Sequence, residues 1–159
     1  MTKYSILSND FDSDLSQLIA IHTDAEDFRL CYLINKFLNL KLMRTAHDLS
    51  FKNSVASFSC FEWFDEKQFC SWQLVSNHFH FDIAMGENEG LFANETLMTQ
   101  THYLIPEYDK VNFFVKFEEE GAAVDVKSIV SQLHDLPQVM TAYLVEKKSV
   151  KSKMNLIFY

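Results

Sequence analysis

The pattern of apolar and polar positions at the start of the chain predicts a strand followed by a helix. Residues 15–22 form a short apolar run rich in Leu and Ile, which has the length of a buried strand. Thr23 and Glu26 then stand three residues apart, as in a capping box that begins a helix. From residue 27 to about 39, apolar residues recur every three or four positions, which predicts a mostly buried helix.

The middle of the chain is predicted to be β-structure. Residues 40–51 have an extended pattern, and residues 55–64 and 69–82 predict the two strands of a hairpin around the polar turn 65–67. Residues 85–99 contain two of the three glycines of the chain together with several acids and asparagines. This composition predicts a long surface loop.

The last third of the chain alternates between strands and one further helix. Residues 103–105 predict a strand that ends at Pro106, because proline has no N–H for a sheet ladder. A strand is predicted at 111–118, a helix at 124–136 and a strand at 139–146. The pattern leaves open whether residues 155–159 form one more short strand.

This order of elements predicts an α+β fold in a single domain, residues 1–159. Strands joined mainly by hairpin-length links, with only two helices, favour a mainly antiparallel sheet with the two helices packed on one face. The strand, helix and strand between residues 111 and 146 resemble half of a ferredoxin-like unit. We therefore expect the C-terminal part to be ferredoxin-like.

Composition and charge exclude several classes of partner. Apolar residues make up 48% of the chain and charged residues 23%, as in globular proteins. A net charge of −8 would repel a phosphate backbone, so no nucleic-acid partner is expected. No apolar run approaches the roughly 18 residues of a membrane span, and the N-terminal residues turn acidic early. The sequence thus predicts a cytoplasmic protein without a membrane partner.

Familiar motifs for cofactors and nucleophiles do not occur in the sequence. Cys31, Cys60 and Cys70 lack the C-x-x-C spacing of zinc ribbons and redox pairs, and we expect reduced thiols. The glycines are too few and too dispersed for a loop that binds phosphate, and G-x-S-x-G is missing. We therefore expect no cofactor.

One short strand carries a candidate metal site. Residues 77–83 alternate strictly between polar and aromatic or aliphatic side chains, which places His78 and His80 on the same strand face. Two histidines at this spacing can share a metal ion, with a third ligand from elsewhere, such as His102 or His47. The alternative interpretation is an ordinary polar sheet face.

A family resemblance rests on residues 105–113, which read I-P-E-Y-D-K-V-N-F. This segment resembles the signature of the IPExxxVDY family, which is found in the Bacteroidetes, and the resemblance extends over most of the chain, including residues 28–36 and 151–158. It implies a cytoplasmic bacterial protein from a family without an assigned activity. Asn112 and Phe113 stand where the signature has Asp and Tyr. No catalytic role is therefore expected for that pair.

The signature segment has two interpretations. In the first it is a structural turn, in which Pro106 closes a strand while Glu107 and Asp109 bond to nearby backbone donors. In the second, Glu107 lies near Arg29 or Arg44 in a polar pocket for a small ligand. Pairs of arginine and carboxylate are common where small anions or carboxylates are recognised.

Two functional hypotheses follow from the sequence. The first is a non-enzymatic module that binds a small anionic ligand or a protein partner, and that forms a homodimer through an open sheet edge or an aromatic face. The second is a metal-assisted hydrolase with an unrecognised site at His78 and His80, where the metal would activate a water molecule.

Overall fold

The computed structural model describes residues 16–85, 96–120, 124–152 and 155. The helices and strands follow in chain order as β1 (Ser16–Thr23), α1 (Asp27–Leu38), β2 (Met43–Arg44), β3 (Leu49–Ser50), β4 (Ser57–Phe58), β5 (Cys60–Asp65), β6 (Cys70–Ser76), β7 (His78–Met85), β8 (Thr96–Tyr103), β9 (Phe113–Glu119), α2 (Val126–His134) and β10 (Val139–Leu144). Two short 3-10 helices lie at Pro106–Tyr108 and Lys147–Ser149.

Six strands form one main sheet, in the spatial order β10-β1-β9-β6-β5-β2. Every neighbouring pair in it is antiparallel. Two smaller antiparallel sheets consist of β3 with β4 and of β7 with β8. The predicted α+β fold with a mainly antiparallel sheet is confirmed.

The C-terminal part contains a split connection between two strands of the main sheet. β9 leads through α2 to β10, and β1 lies between these two strands. A connection of this kind is one element of ferredoxin-like folds. The assignment of the C-terminal part as ferredoxin-like stays a prediction.

Both helices pack on one face of the main sheet, as predicted. Strand β1, which lies between β10 and β9, shows the two faces most clearly, because its residues 18–21 are fully buried. Ile19 and Ile21 pack in a cluster with the buried residues of α1 and α2, while Leu18 and Ala20 belong to a second cluster. We call these sides of the sheet the helix face and the second face.

The second face is covered by segments with little regular structure. Its buried residues come from the sheet itself, from the region of β4, and from the segments around residues 104–111 and 145–150. Phe58, Leu104, Ile105 and Phe114 are among its most buried side chains. The main sheet is therefore enclosed on both sides, and the sequence predicts only the helical cover.

The predicted capping box at Thr23 and Glu26 is wrong. Helix α1 begins at Asp27, where the apolar period predicts it, but its N-cap residue is Glu26, which makes no side-chain capping bond. Thr23 Oγ1 instead accepts a hydrogen bond from Ala25 N at 3.0 Å and donates one to Gln138 O at 2.7 Å. The threonine thus joins the end of β1 to the start of β10 and does not cap the helix.

The single strand predicted over residues 69–82 is two strands. β6 ends at Ser76, β7 begins at His78, and Asn77 lies between them. The two strands belong to different sheets. The strand-like pattern continues across Asn77, so the sequence does not reveal where one strand ends and the next begins.

A second hairpin extends into the predicted loop at residues 85–99. β7 pairs antiparallel with β8, which begins at Thr96, so the last four residues of that loop belong to a strand. Residues 86–95 lie outside the described part of the chain. The segment 155–159, where the sequence leaves a further strand undecided, also lies outside the described part of the chain, apart from Asn155.

Candidate functional site

The two histidines of β7 lie on one face of the hairpin, as the alternation predicts. His78 lies opposite Tyr103 of β8, and His80 lies opposite Thr101. Directly opposite residues of an antiparallel pair share a sheet face. The two imidazole rings are 5.9 Å apart between centroids.

Hydrogen bonds orient both imidazole rings. His78 Nε2 lies 3.0 Å from the carbonyl oxygen of Asp109. Because a carbonyl oxygen only accepts, His78 donates from Nε2, and in the neutral ring its Nδ1 keeps the lone pair. His80 Nδ1 lies 2.8 Å from Thr101 Oγ1. The rings are held by the hairpin and by the signature segment.

Among the described side chains, no third metal ligand accompanies these histidines. Within the described ranges, no group of three His, Cys, Asp or Glu side chains could hold a metal ion. His102 lies opposite Phe79 and its ring contacts Phe81 at 5.1 Å, so it occupies the other face of the hairpin. His102 therefore cannot complete a site with His78 and His80.

Arg44 of β2 is the centre of an ion-pair network at the sheet edge. Its Nη1 donates to Asp27 Oδ2 at 3.0 Å. Its Nε donates to Asp48 Oδ1 at 3.1 Å, and Nη2 donates to the same oxygen. Asp27 begins α1, whereas Asp48 precedes β3. Arg44 thus connects the helix face to the segment that leads to the second face.

The surroundings of Arg44 keep it charged. Its guanidinium carbon lies 5.5 Å from the ring centre of Phe28 and 5.3 Å from that of Phe61, in cation–π geometry. Burial lowers the pKa of Arg44, but its hydrogen bonds and charge attraction with Asp48 and Asp27 outweigh burial and raise the pKa. Both carboxylates are already used by this pairing.

A polar cleft of about 570 Å³ brings three of the predicted site residues together. Arg44, His78 and His80 line it, together with Asp48 and Asn112. Three serines also line the cleft, namely Ser57, Ser59 and Ser76. The cleft lies where the start of α1, the β2 edge and the start of the β7–β8 hairpin meet.

The charges of the cleft favour a positively charged ligand. Its lining contains four carboxylates, Asp24, Glu26, Asp27 and Asp48, and one guanidinium, Arg44. With neutral histidines these groups give a net charge of −3, from −4 and +1. A small anion would meet an arginine whose charge is already balanced by two aspartates.

Arg29 and Glu107, the other predicted ligand-binding residues, bond elsewhere. Arg29 Nε donates to Gln138 Oε1 at 3.1 Å, and its guanidinium carbon lies 5.7 Å from the centre of the Tyr32 ring. Glu107 Oε1 accepts from the hydroxyl of Ser152 at 3.0 Å. Across the described segments, no hydrogen bond or ion pair joins Glu107 to either Arg29 or Arg44.

Glu107 stabilises the end of the described chain as a carboxylate. Burial raises its pKa, but hydrogen bonds from its own backbone N–H, from the Ser152 hydroxyl and from the backbone of Ser152 and Lys151 outweigh burial. The pKa of Glu107 is therefore lowered. This arrangement matches the structural interpretation of the signature segment, in which the glutamate bonds to backbone donors.

Asn77 holds the signature segment in place, although the sequence did not single it out. Its side chain is fully buried and accepts from Ile105 N at 2.8 Å. Its Nδ2 donates to Tyr108 O at 2.8 Å and to Val111 O at 3.0 Å. One amide therefore satisfies three backbone groups of the turn. The signal in the sequence is limited to one asparagine inside a stretch whose apolar residues predict a strand.

Asn112 occupies the position where the family signature has Asp. Its Oδ1 accepts from the backbone N–H of Thr23 at 2.9 Å, and its own N–H donates to Ile21 O at 3.1 Å. It thereby fixes the end of β1 at the polar cleft. This use of the side chain needs an acceptor oxygen and no titratable group.

Strand β10 forms an open edge of the main sheet. It pairs with β1 on one side, and no other strand in the described part of the chain pairs with its outer side. Val145 N–H donates to Leu18 O at 2.8 Å. Because backbone groups alternate in direction along an antiparallel strand, those of Tyr143 also face β1. Those of Ala142 and Leu144 face outward.

The first part of this edge is irregular. His22 pairs with Thr141, but Thr23 pairs with Val139, so Met140 is the extra residue of a β-bulge. Met140 is 65% exposed and Leu144 is 45% exposed. The regular part of the edge therefore begins after Met140, and it ends in an exposed apolar side chain.

A mainly apolar groove of about 340 Å³ runs beside this edge. Val126 and Val130 of α2 form one wall, and Ala142 and Leu144 of β10 form the other. Three polar residues also line it, namely Lys127, Ser131 and His134. The sequence predicted an open edge in general terms, but it did not identify β10 or this groove.

The three cysteines are unsuitable as nucleophiles. All are buried free thiols in the structure. Burial, with a smaller effect of nearby carboxylates, raises the pKa of Cys31 and of Cys60 to about 11 and that of Cys70 to about 12. The reactive thiolate is therefore scarce at neutral pH.

Comparisons with known proteins identify no relative of the chain. No protein-family model, no curated protein and no solved structure matches it. None of the helices in the described segments is long and apolar enough to cross a membrane. Membership of the IPExxxVDY family therefore rests on the resemblance of residues 105–113 and stays a prediction.

Proposed function

We propose that the protein is a non-enzymatic interaction module that binds an extended polypeptide strand along β10. The open edge is the observation that carries this proposal. Its six residues, V-M-T-A-Y-L, include neither a charged residue nor a proline. Sheet edges that remain unpaired usually carry such residues or are very short. Apart from the bulge at Met140, β10 lacks these forms of protection.

The groove beside the edge supports a strand as the bound element. A strand added to β10 would exchange main-chain hydrogen bonds with Ala142 and Leu144, whose backbone groups face outward. Alternate side chains of that strand would point to the helix face, where Val126 and Val130 line the groove. The groove is mainly apolar, so the best side chain at that position is aliphatic.

A labelled peptide tests this proposal directly. The probe is a fluorescent peptide of alternating Thr and Val with lysines at both ends, and the control is the same peptide with N-methyl groups on one edge. We expect the first to bind and to shift the amide resonances of Ala142 and Leu144. The methylated peptide should bind at least about tenfold more weakly, because it lacks donors for the edge.

Two results would contradict strand binding at β10. One is the absence of any change in anisotropy or amide resonances at millimolar peptide. The other is a set of shifted resonances that lies away from β10 and α2. A Leu144→Lys variant provides the protein-side control, because it places a charge beside the groove while leaving the inward pairing of β10 with β1 unchanged.

A small-ligand site in the polar cleft is the second candidate function. The specific observation in its favour is that Arg44, His78 and His80 line one cleft with Asp48. The net negative lining favours a ligand with a protonated amine over the small anion expected from the sequence. Titration with putrescine and, separately, with inorganic phosphate would compare the two classes by amide shifts.

In that titration we expect putrescine to shift resonances of the cleft and phosphate to leave them unchanged. An Asp48→Asn variant should weaken the amine, because it removes one of the four carboxylates of the cleft. Phosphate shifts that depend on Arg44 would instead favour the anionic ligand. No shift with either probe would leave the cleft without a role in binding these ligands.

The metal-assisted hydrolase is the alternative proposal. His78 and His80 would hold the metal, and the metal would supply an activated water. Among the described side chains no third ligand accompanies them. Elemental analysis of protein purified without chelator is the test. One equivalent of metal that is lost in His80→Gln would favour the hydrolase over the interaction module.

A further inference from the structure

We infer that the strand that fills the β10 edge is β10 of a second copy of the chain, paired antiparallel about a two-fold axis at Tyr143. This inference rests on the proposed function, because it names the partner of the same edge. The inference also fixes the register in which the two β10 strands pair.

The bulge determines which residues can pair. Met140 is the extra residue of the bulge, so its backbone does not continue the regular alternation of the edge. Within β10, the backbone groups that face outward with regular strand geometry therefore belong to Ala142 and Leu144. A two-fold axis pairs these two with each other, which places Ala142 of one copy opposite Leu144 of the second copy. Tyr143 then lies opposite its own counterpart.

Backbone groups make this edge complementary to itself. Ala142 and Leu144 each present one N–H donor and one carbonyl acceptor on the outer side. In an antiparallel ladder, residues of a hydrogen-bonded pair exchange two hydrogen bonds. The two symmetry-related pairs of Ala142 with Leu144 therefore use all of these outward groups. An isologous interface of this kind closes after two copies and forms no fibre.

Side chains fit the same register. Ala142 points to the helix face, where it packs with the residues of α2. Leu144 of the second copy, directly opposite, points to the same face and lies over the groove lined by Val126 and Val130. The small side chain of Ala142 leaves room for this leucine. The symmetry fills the grooves of both copies in the same way.

The electrostatics of the strand allow the two copies to approach. β10 contains no charged residue, so no like charges meet across the axis. The interface is nevertheless short, and short interfaces are weak. We therefore expect a dimer with a dissociation constant of about 10–1,000 µM.

Sedimentation equilibrium tests the association. Over protein concentrations from 5 µM to 2 mM, we expect the average mass to rise from that of the monomer toward twice 18.6 kDa. Leu144→Lys should weaken association at least tenfold. By symmetry it places a lysine from each copy over the apolar groove of the other copy. Val55→Lys is the matched control, since Val55 is 66% exposed and lies outside β10. It should leave association unchanged.

Single-cysteine variants test the register. Opposite residues of a non-hydrogen-bonded pair lie about 4.5 Å apart between Cα atoms, a separation that a disulfide can span. Mild oxidation of Tyr143→Cys should therefore give a disulfide-linked dimer, whereas Ala142→Cys should give little. The buried natural cysteines should stay reduced, so the parent protein is a suitable blank.

The results separate this inference from the proposed function. A protein that stays monomeric at 2 mM but binds the Thr-Val peptide at β10 overturns self-pairing and leaves strand binding intact. A protein that neither associates nor binds the peptide overturns both. A dimer that forms through Ala142→Cys in place of Tyr143→Cys, or that survives Leu144→Lys, also overturns the inference.

Discussion

The helix face and the second face of the main sheet are both buried, but different interactions close them. On the helix face, side chains such as Leu30, Ile34 and Leu133 are fully buried against the sheet. On the second face, irregular segments are fixed by polar side chains that bind their backbone. Asn77 does this for the signature segment, and Asn155 donates to Leu104 O at 2.7 Å.

The two faces therefore differ in how strongly their stability depends on a single atom. Apolar burial is non-directional, so the helix face distributes its stability over many contacts. Hydrogen bonds are directional, and a buried backbone group that loses its partner costs about 1–3 kcal/mol. The second face should therefore depend on a few polar atoms.

We expect Asn77→Ala to be strongly destabilising. The change leaves Ile105 N, Tyr108 O and Val111 O without their present partner in a buried position. With three lost hydrogen bonds, the free energy of unfolding should fall by about 3–5 kcal/mol. Urea denaturation measures this loss. Hydrogen exchange should show that amides of residues 104–111 lose protection before those of α1.

Asn35→Ala is the matched control from the helix face. The Asn35 side chain, like that of Asn77, binds backbone groups: its Nδ2 donates to Leu42 O and its Oδ1 accepts from Leu42 N, each at 2.9 Å. Its side chain is only half-buried, so water can replace these bonds, and we expect a loss of about 1–2 kcal/mol. Equal losses for the two variants would remove the proposed contrast between the faces.

The helix face is also the part of the fold that the sequence predicts best. The period of apolar residues predicts α1 and α2 within two residues at each end, and a short run rich in Leu and Ile predicts β1. These signals are local, because they depend on neighbouring residues in one element. The cover of the second face depends on contacts such as Asn77 with Val111, which no local pattern encodes.

The candidate site shows the same limit. Strand alternation was sufficient to place His78 and His80 on one face. Arg44 lies with them in the cleft because the ends of several elements come together there. Which ends come together depends on the order of strands in the sheet. The β10 edge could not be identified in advance for the same reason, since any predicted strand can lie inside or at the end of a sheet.

Arg44→Lys tests the link between the two faces and should have an intermediate effect. A lysine cannot bond to Asp27 and Asp48 at once with the fork geometry of a guanidinium. All three side chains are about one third exposed, at 30%, 26% and 34%, so the screened loss should be about 1 kcal/mol. Urea denaturation at low and high salt measures it, and the loss should shrink in high salt.

Arg29→Lys is the control for this change. Arg29 is exposed and makes a single side-chain hydrogen bond, to Gln138, among the bonds of the described chain. We expect its replacement to change the free energy of unfolding by less than about 0.5 kcal/mol. If Arg44→Lys has no larger effect than Arg29→Lys, the ion-pair network does not join the two faces energetically.

The smallest effect is expected for Glu107→Gln, and it should depend on pH. Because the pKa of Glu107 is lowered by folding, its carboxylate adds stability above its unfolded pKa, and that stability is lost as pH falls through the folded pKa. The group is largely exposed, so the loss at pH 7 should be a few tenths of a kcal/mol. At pH 2–3 the variant and the parent should be equally stable. Asp109→Asn removes a carboxylate from the same segment as the control. A difference for Glu107→Gln that persists unchanged in acid would show that shape, and not charge, holds Ser152 at the signature segment.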